Sequence, residues 1–313
     1  MIIKISNSGD DFGSIDFQTQ ALLHLEKHSP SLPVPRIQPS LSGDTCVIVE
    51  AKENNKHIVR LLSYIPGVVI DKVPESNTKG MRTIIGSTIA KLDIALRGFF
   101  HPHARYAHPW DIMNFMVYRP LTDNITDQKT RQLVEDIFDH VNANLMPSLT
   151  SLRHQVVHHD IHGSNALVDP ENLDCLVGII DFGDMLYAPL IMELVVASDI
   201  YLLSDDPIAQ IADLVAGYDT EIELEELEVD LLYDLILVRI AMLISICAWR
   251  LATRPDEEPH VPEIKKYHQL LDKLSIMGRK HITSRFREAC RFPIFSPVIG
   301  EQQAKRQTSS VFR

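Results

Sequence analysis

Three oxygen-bearing residues stand near one another in the middle of the chain: Asp160, Asn165 five positions on, and Asp181 after a further β-rich stretch. The run begins His158-His159-Asp160, passes through short apolar segments on either side of Asp169-Pro170-Glu171-Asn172, and ends Asp181-Phe182-Gly183-Asp184. Apolar segments of that length around a proline-containing polar turn predict a β-hairpin. A hairpin returns the end of its second strand to the start of its first, so the three side chains converge on one patch. Two carboxylates and an amide oxygen are hard ligands that suit Mg²⁺, which takes a few protein oxygens beside phosphate oxygens and water. Phosphoryl transfer from a nucleotide needs that metal, and a carboxylate to accept the proton of the attacking hydroxyl. Two other readings compete. The residues serve as turn formers at strand ends, or His158, His159 and His162 join Asp160 in a metal-hydrolase cluster, which would favour softer metals.

The elements that must carry this patch are legible on both sides of it. Met1 to Ile5 is a short β-rich run containing Lys4, Phe17 to Lys27 has helical spacing, and four prolines between Pro30 and Pro39 exclude a regular helix there. Cys46 to Glu50 and His57 to Leu62 read as strands joined by a polar turn, and Ser63 to Gly67 closes the β-rich section. From Met81 the pattern turns helical: Ile84, Ile85, Thr88, Ile89, Leu92 and Leu96 form one stripe, a second helix spans about Gln128 to Asn144, and helices fill most of the chain from Asp184 to Cys290. The long apolar run from Leu231 to Trp249 contains Asp234 and Arg239, which predicts a buried helix and not a membrane span. The two charges are expected to pair with each other or with neighbouring helices.

The order Asp-x₄-Asn, a strand, then Asp-Phe-Gly is the kinase arrangement. HHDIHGSNALVDP followed by VGIIDFGD resembles the HGDxxxxN and IDFxD motifs of aminoglycoside phosphotransferases and choline kinases. LPVPRIQPSLSGD, VRLLSYIPG, AKLDIALRGFFHP, RYAHPWDIMN, LVAGY and ISICAWR are similar to the branch that holds hydroxylysine kinases and the kinase modules fused to class-III aminotransferases, and the resemblance runs over about residues 1 to 292. It implies a protein-kinase-like, two-lobed α+β fold: a truncated β-rich N-lobe and hinge over 1–67, a mainly helical C-lobe over 68–292, and a mobile tail over 293–313. It implies transfer of the γ-phosphate of ATP or GTP, with Mg²⁺, to the hydroxyl of a small hydroxy amino acid or amino alcohol, 5-hydroxylysine first among them. Residue by residue, Asp160 corresponds to the catalytic base, Asn165 and Asp181 to the metal ligands, Lys4 to the lysine on the donor phosphates, and His158 to a histidine that supports the loop. Asp184, Asp111 and Trp110 fall in stretches that face the substrate, where acidic groups and an aromatic face suit an ammonium.

Three positions depart from that pattern. The Gly-rich hairpin that covers the phosphates has no counterpart before Lys4, which stands three residues after the first, so a binding module unable to turn over is the alternative reading. The helix that should supply a glutamate to Lys4 offers only Glu26, near its end, leaving Gln18, Gln20 or Asp16. Histidine occupies position 159 where the motif has glycine; if the backbone there needs φ > 0, the cost is about 1 kcal/mol or more.

Bulk properties agree with a folded small-molecule enzyme. Hydrophobic residues make up 45% of 313 and charged ones 23%, enough for a sizeable core. A net charge of −12 disfavours nucleic acid and anionic membrane as partners, leaving nucleotide and small-molecule substrate. Four scattered cysteines with no CxxC spacing, and a start lacking a long apolar segment, point to a reduced, cytoplasmic protein. The oligomeric state leaves no mark on the sequence.

Overall fold

The structure, a computed structural model, describes residues 1–294 except 8, 10, 51–55, 107 and 255–260. Nearly all of the expected tail, and most of the turn between the second pair of strands, therefore lie outside the described residues.

The N-terminal part is a small antiparallel sheet with one helix on it. Strand β1 (Ile2–Ile5) and strands β2 (Ile37–Gln38) and β3 (Val47–Glu50) all pair with the central β4 (Lys56–Leu62). The register sets Lys4 opposite Arg60 and Ile2 opposite Leu62. Helix α1 (Phe12–His28) starts five residues before its predicted beginning and buries Ile15, Phe17, Ala21, Leu22 and Leu25. The proline-rich stretch between α1 and β2 forms turns and no helix, as expected.

Three strands escaped the sequence reading, the first of them the two-residue β2 among the prolines. β5 (Val68–Val69) adds a third strand to the hairpin of β7 (Ala166–Asp169) and β8 (Asn172–Ile179). β9 (Leu186–Pro189), which falls where only helix was expected, pairs antiparallel with β6 (His154–Val157), from His154 opposite Pro189 to Val157 opposite Leu186. That ladder ties the segment entering the 158–165 loop to the segment leaving Asp181–Asp184, so both motifs rest on one pair of strands.

Helices α2 (Lys79–Leu96), α3 (Gln128–Asn144), α4 (Met146–Ser151), α5 (Met192–Ala197), α6 (Pro207–Asp219), α7 (Glu226–Thr253), α8 (Val261–Met277) and α9 (Arg279–Ala289) form the larger part. In α2 the expected stripe is off by one side: Ile85, Ile89, Leu92 and Leu96 are buried, while Ile84 faces out. Two glycines let α2 and α6 touch backbone to backbone. A Cβ on Gly86 would lie 2.0 Å from the Leu214 carbonyl oxygen, and one on Gly217 would lie 2.2 Å from that of Thr83. Between α2 and α3, where no element was assigned, the chain makes 3₁₀ turns at Pro102–Arg105 and Ile112–Asn124, the latter kinked at Asn114.

Helix α7 is long and apolar enough to cross a membrane, yet 94% of its apolar window is buried inside the protein, so it is the central core helix. Its two internal charges do not pair with each other: Arg279 of α9 donates to Asp234 at 2.9 Å, and Arg239 donates to Asp199 at 2.9 and 2.7 Å. None of the four cysteines forms a disulfide.

Candidate active site

The loop 158–165 connects β6 to β7 and is held from beneath. The backbone N–H of His159 donates to Glu193 Oε1 at 2.9 Å, and that of His158 also reaches this carboxylate. His159 sits at φ 62°, in the left-handed region, so the condition under which histidine costs stability at this position is met. Its ring is buried, and burial drives its pKa down to about 3, so it is neutral. His158 is neutral for the same reason, its pKa lowered to about 4. Its Nδ1 accepts the Asp160 N–H at 3.2 Å, and the ring packs edge-on against Phe182, centroids 4.5 Å apart. Both histidines therefore belong to the support of the loop. Among the described residues no group of three or more His, Cys, Asp and Glu side chains is arranged to hold a metal.

Above that support stands the polar patch. Asn165 Nδ2 donates to the Asp160 carbonyl at 2.8 Å and to Asp160 Oδ2 at 2.6 Å. His162 Nε2 lies 3.3 Å from the other oxygen, Oδ1, and hydrogen bonding to Asp160 raises the His162 pKa. Asp160 is thus oriented from two sides while its side chain keeps 23% exposure. With the Asn165 amide nitrogen turned to Asp160, its oxygen is left as a ligand, and Asp181 offers carboxylate oxygens; this donor set fits a hard divalent cation.

Asp181 follows β8 in a left-handed conformation, φ 64° and ψ 77°. Lys4 Nζ meets its Oδ1 at 2.7 Å, bridging the N-terminal sheet to the end of the hairpin. Burial pushes the Asp181 carboxyl up, but the hydrogen bond and charge of Lys4, together with His158 and the Gly183 N–H, hold the group below the ordinary aspartate range. No helix glutamate takes part. Gln18, one of the three residues considered for that place, accepts from Arg60 Nη2 at 2.7 Å and points its amide at the Gly183 carbonyl, 3.4 Å away. Gln20 and Asp16 are engaged elsewhere, with each other and with His101.

A cavity of about 210 Å³ opens beside this pair. Leu22, Leu62 and the segment Ser63–Ile65 wall it on one side, Leu167, Ile180 and Phe182 on the other, and Lys4 and Asp181 stand at its polar edge. An apolar slot with charges at one end has the polarity that a nucleoside with its phosphates would need.

The three residues expected to face substrate separate. Asp184 is gripped by His108: the Trp110 N–H occupies Nδ1 of that ring, so Nε2 carries the proton toward Asp184 Oδ1, 3.3 Å away. Trp110 is half-buried, with the Arg239 guanidinium 5.3 Å from its ring centre. Asp111 spends both carboxylate oxygens on its own turn, accepting from Met113 N and Asn114 Nδ2 at 2.9 Å each, and burial raises its pKa. It lines a separate cavity with Tyr106, His154 and Tyr187.

Sequence reading missed Glu193. The signal was one carboxylate in the apolar run Met192–Ala197, wholly buried in the structure. Beneath it lies Asp93, equally buried, whose Oδ2 accepts from Tyr218 at 2.7 Å. Asp93 Oδ1 and Glu193 Oε2 have no partner, and burial raises both carboxyls, Glu193 to about 7. A carboxyl raised in the folded state stabilises most below its unfolded pKa, and that contribution fades as pH climbs through the folded value. Wild-type stability should therefore fall by roughly 1–3 kcal/mol between about pH 5 and 8. Glu193→Gln, which retains the acceptor for His159 and supplies an amide hydrogen, should flatten the profile. Urea denaturation across that range tests it; a flat wild-type profile would show that no proton is held there.

Comparison with known proteins meets this geometry. The chain is similar to the hydroxylysine kinase of Danio rerio, 26% identical over 305 residues that cover 93% of this chain and 85% of the relative. To that of Mus musculus it is 24% identical over 302 residues, covering 90% and 78%. Among solved structures, a microcompartment-associated aminopropanol kinase superposes with a TM-score of 0.66 at 17% identity, covering 93% of this chain and 87% of that one. An amicoumacin kinase in complex with AMP-PNP, Ca²⁺ and Ami gives 0.64 at 15% identity, covering 87% and 81%. At such identities the structures speak for the fold, a two-lobed kinase-like α+β architecture. The profile of the phosphotransferase enzyme family matches residues 1–229, well over half the chain, and the chain belongs to that family.

Proposed function

We propose that this phosphotransferase moves the γ-phosphoryl group of ATP or GTP onto the hydroxyl of a small hydroxylated amino acid, with 5-hydroxylysine the first candidate. The observation that carries the reading is the joining of two polar pairs: Asn165, which holds Asp160, accepts the Ile180 N–H on its carbonyl at 2.9 Å, and the next residue, Asp181, meets Lys4 at the polar edge of the cavity. The nucleoside lies in the apolar slot with its phosphates toward Lys4 and Asp181. Asp160, fixed by Asn165 and His162, accepts a hydrogen bond from the acceptor hydroxyl and takes its proton as the oxygen attacks the γ-phosphorus. The new P–O bond forms as the bond to the β–γ bridging oxygen breaks, and its electron pair leaves with the nucleoside diphosphate. A divalent metal such as Mg²⁺, when held by Asn165 and Asp181, neutralises charge developing on the phosphates. Lys4 supplies a second positive charge from the opposite lobe. The chemistry asks little of the protein beyond positioning and electrostatics, which is what these contacts provide.

Purified protein with Mg²⁺ and ATP or GTP should phosphorylate 5-hydroxylysine in preference to homoserine, ethanolamine and choline, with Asp160→Ala as the blank. Turnover on another acceptor would reassign the substrate. Nucleotide-dependent thermal stabilisation with no turnover on any acceptor would establish the binding-module reading instead.

A further inference from the structure

One ion pair beside the proposed base is built in a way that a simple structural tie does not require. Arg239 projects from the middle of the apolar helix α7 and is 7% exposed. Its Nε and Nη2 both donate to a single oxygen, Asp199 Oδ2, in the 3₁₀ turn Ser198–Ile200 that directly follows α5. Asp199 Oδ1 is left buried without a partner. Among the described residues the third guanidinium nitrogen, Nη1, has no hydrogen-bond partner either. A face of Trp110 covers the guanidinium at 5.3 Å.

The pair lies within electrostatic reach of the reaction centre. The charge of Arg239 acts on Asp160 and on His159, and the charge of Asp199 acts on His162, the residue that contacts Asp160 Oδ1. A buried ion pair adds little stability compared with apolar side chains of the same size, and one whose hydrogen-bonding groups are only half used adds less. The arrangement is better matched to a ligand: Asp199 and Trp110 fix the plane of a guanidinium whose remaining edge is unspent, and a planar fork of that kind suits a carboxylate. The acidic groups nearby, Asp160, Asp184 and Asp199, make the surroundings unfavourable for an acceptor that brings only negative charge. An acceptor carrying both a carboxylate and ammonium groups satisfies both.

We propose that Arg239 binds the carboxylate of the acceptor, with Asp199 as the residue that positions it, so that the enzyme selects a cationic hydroxy amino acid over the corresponding amino alcohol. The proposal rests on Asp160 being the base that faces the acceptor.

The test compares 5-hydroxylysine with its decarboxylated hydroxy-diamine, which presents the same hydroxyl and side-chain ammonium without the carboxylate. Wild-type kcat/KM should favour 5-hydroxylysine by about 10²-fold or more, since a site built to hydrogen-bond a group discriminates strongly against its absence. The double variant Arg239→Gln/Asp199→Asn leaves no charge buried alone, and Arg239→Lys keeps the charge but not the fork. In the double variant the preference should collapse through a raised KM for 5-hydroxylysine, with the hydroxy-diamine and nucleotide KM values nearly unchanged; Arg239→Lys should fall between. Equal losses on both acceptors, or a wild-type enzyme indifferent to the carboxylate, would overturn the proposal. Calorimetric binding of the two acceptors gives the same comparison without turnover. Carboxylate-dependent binding lost in the double variant upholds Arg239 even where no phosphorylation occurs, in which case it is the kinase reading that falls.

Discussion

Asparagine in place of Asp160 is expected to lower kcat by about 10²–10⁴-fold, the range that a positioned general base contributes, while the nucleotide KM stays close to wild type. The substitution is nearly isosteric. Asn165 Nδ2 donates to both the carbonyl and a side-chain oxygen of Asp160, and the first of these bonds does not depend on the side chain. The loop is held independently from below, through the His159 N–H on Glu193 and the Asp160 N–H on His158. Loop geometry should therefore survive, and the loss should fall on proton acceptance and acceptor orientation. Steady-state kinetics with separate titrations of donor and acceptor measures it. A variant that retains more than about a tenth of wild-type kcat would remove Asp160 from general-base catalysis.

The second large effect is expected at the ionic link between the lobes. Lys4→Met should reduce kcat/KM for the nucleotide by roughly 10²–10³-fold, the usual cost of removing one preorganised electrostatic contact to the transferring group. Asp181→Asn should do at least as much and should also abolish any dependence of nucleotide binding on divalent metal. The 2.7 Å contact is largely solvent-exposed, with side-chain exposures of 40% and 49%, so little of either effect should appear as lost stability. In the proposed mechanism its role is geometric, setting the ammonium where the donor phosphates would lie. Lys4→Met should also let the Asp181 carboxyl rise, because the lysine does more than any other group to hold it down against burial. The acid limb of the pH–rate profile should then move to higher pH, and an unmoved limb together with an unchanged nucleotide KM would dissociate Lys4 from the donor site.

Much of this site was readable because its parts are local. Asp160 and Asn165 lie on one loop, Asp181 ends the next strand, and hairpin logic alone brings the three together. Lys4 was placed only through resemblance, since nothing within five residues of the N-terminus says what it will meet. Support for the loop was not legible. Glu193 and Asp93 each look like an interruption of an apolar helix, and their meeting depends on tertiary packing. Strand β9 was hidden for a related reason: Leu186-Tyr187-Ala188-Pro189 is short and ends in proline, and only its pairing with β6 makes it a strand. For Arg239 two partners were open, Asp234 within α7 or a neighbouring helix, and the actual one, Asp199, lies forty residues earlier in the 3₁₀ turn after α5. Long-range polar pairing has no period, so patterning cannot find it.

Strand β1 carries Lys4 but is a weakly anchored part of its lobe. Among the described residues it pairs only with β4, and Ile2, Ile3 and Ile5 are all exposed. Segments with so little buried surface open locally at free energies far below that of global unfolding. In the proposed mechanism the donor site is complete only while β1 is closed on β4, so apparent nucleotide affinity would be the intrinsic affinity reduced by the closed fraction. It follows that substitutions along β1 with no contact to nucleotide, such as a change in its match to β4, alter affinity through the population of the closed strand alone.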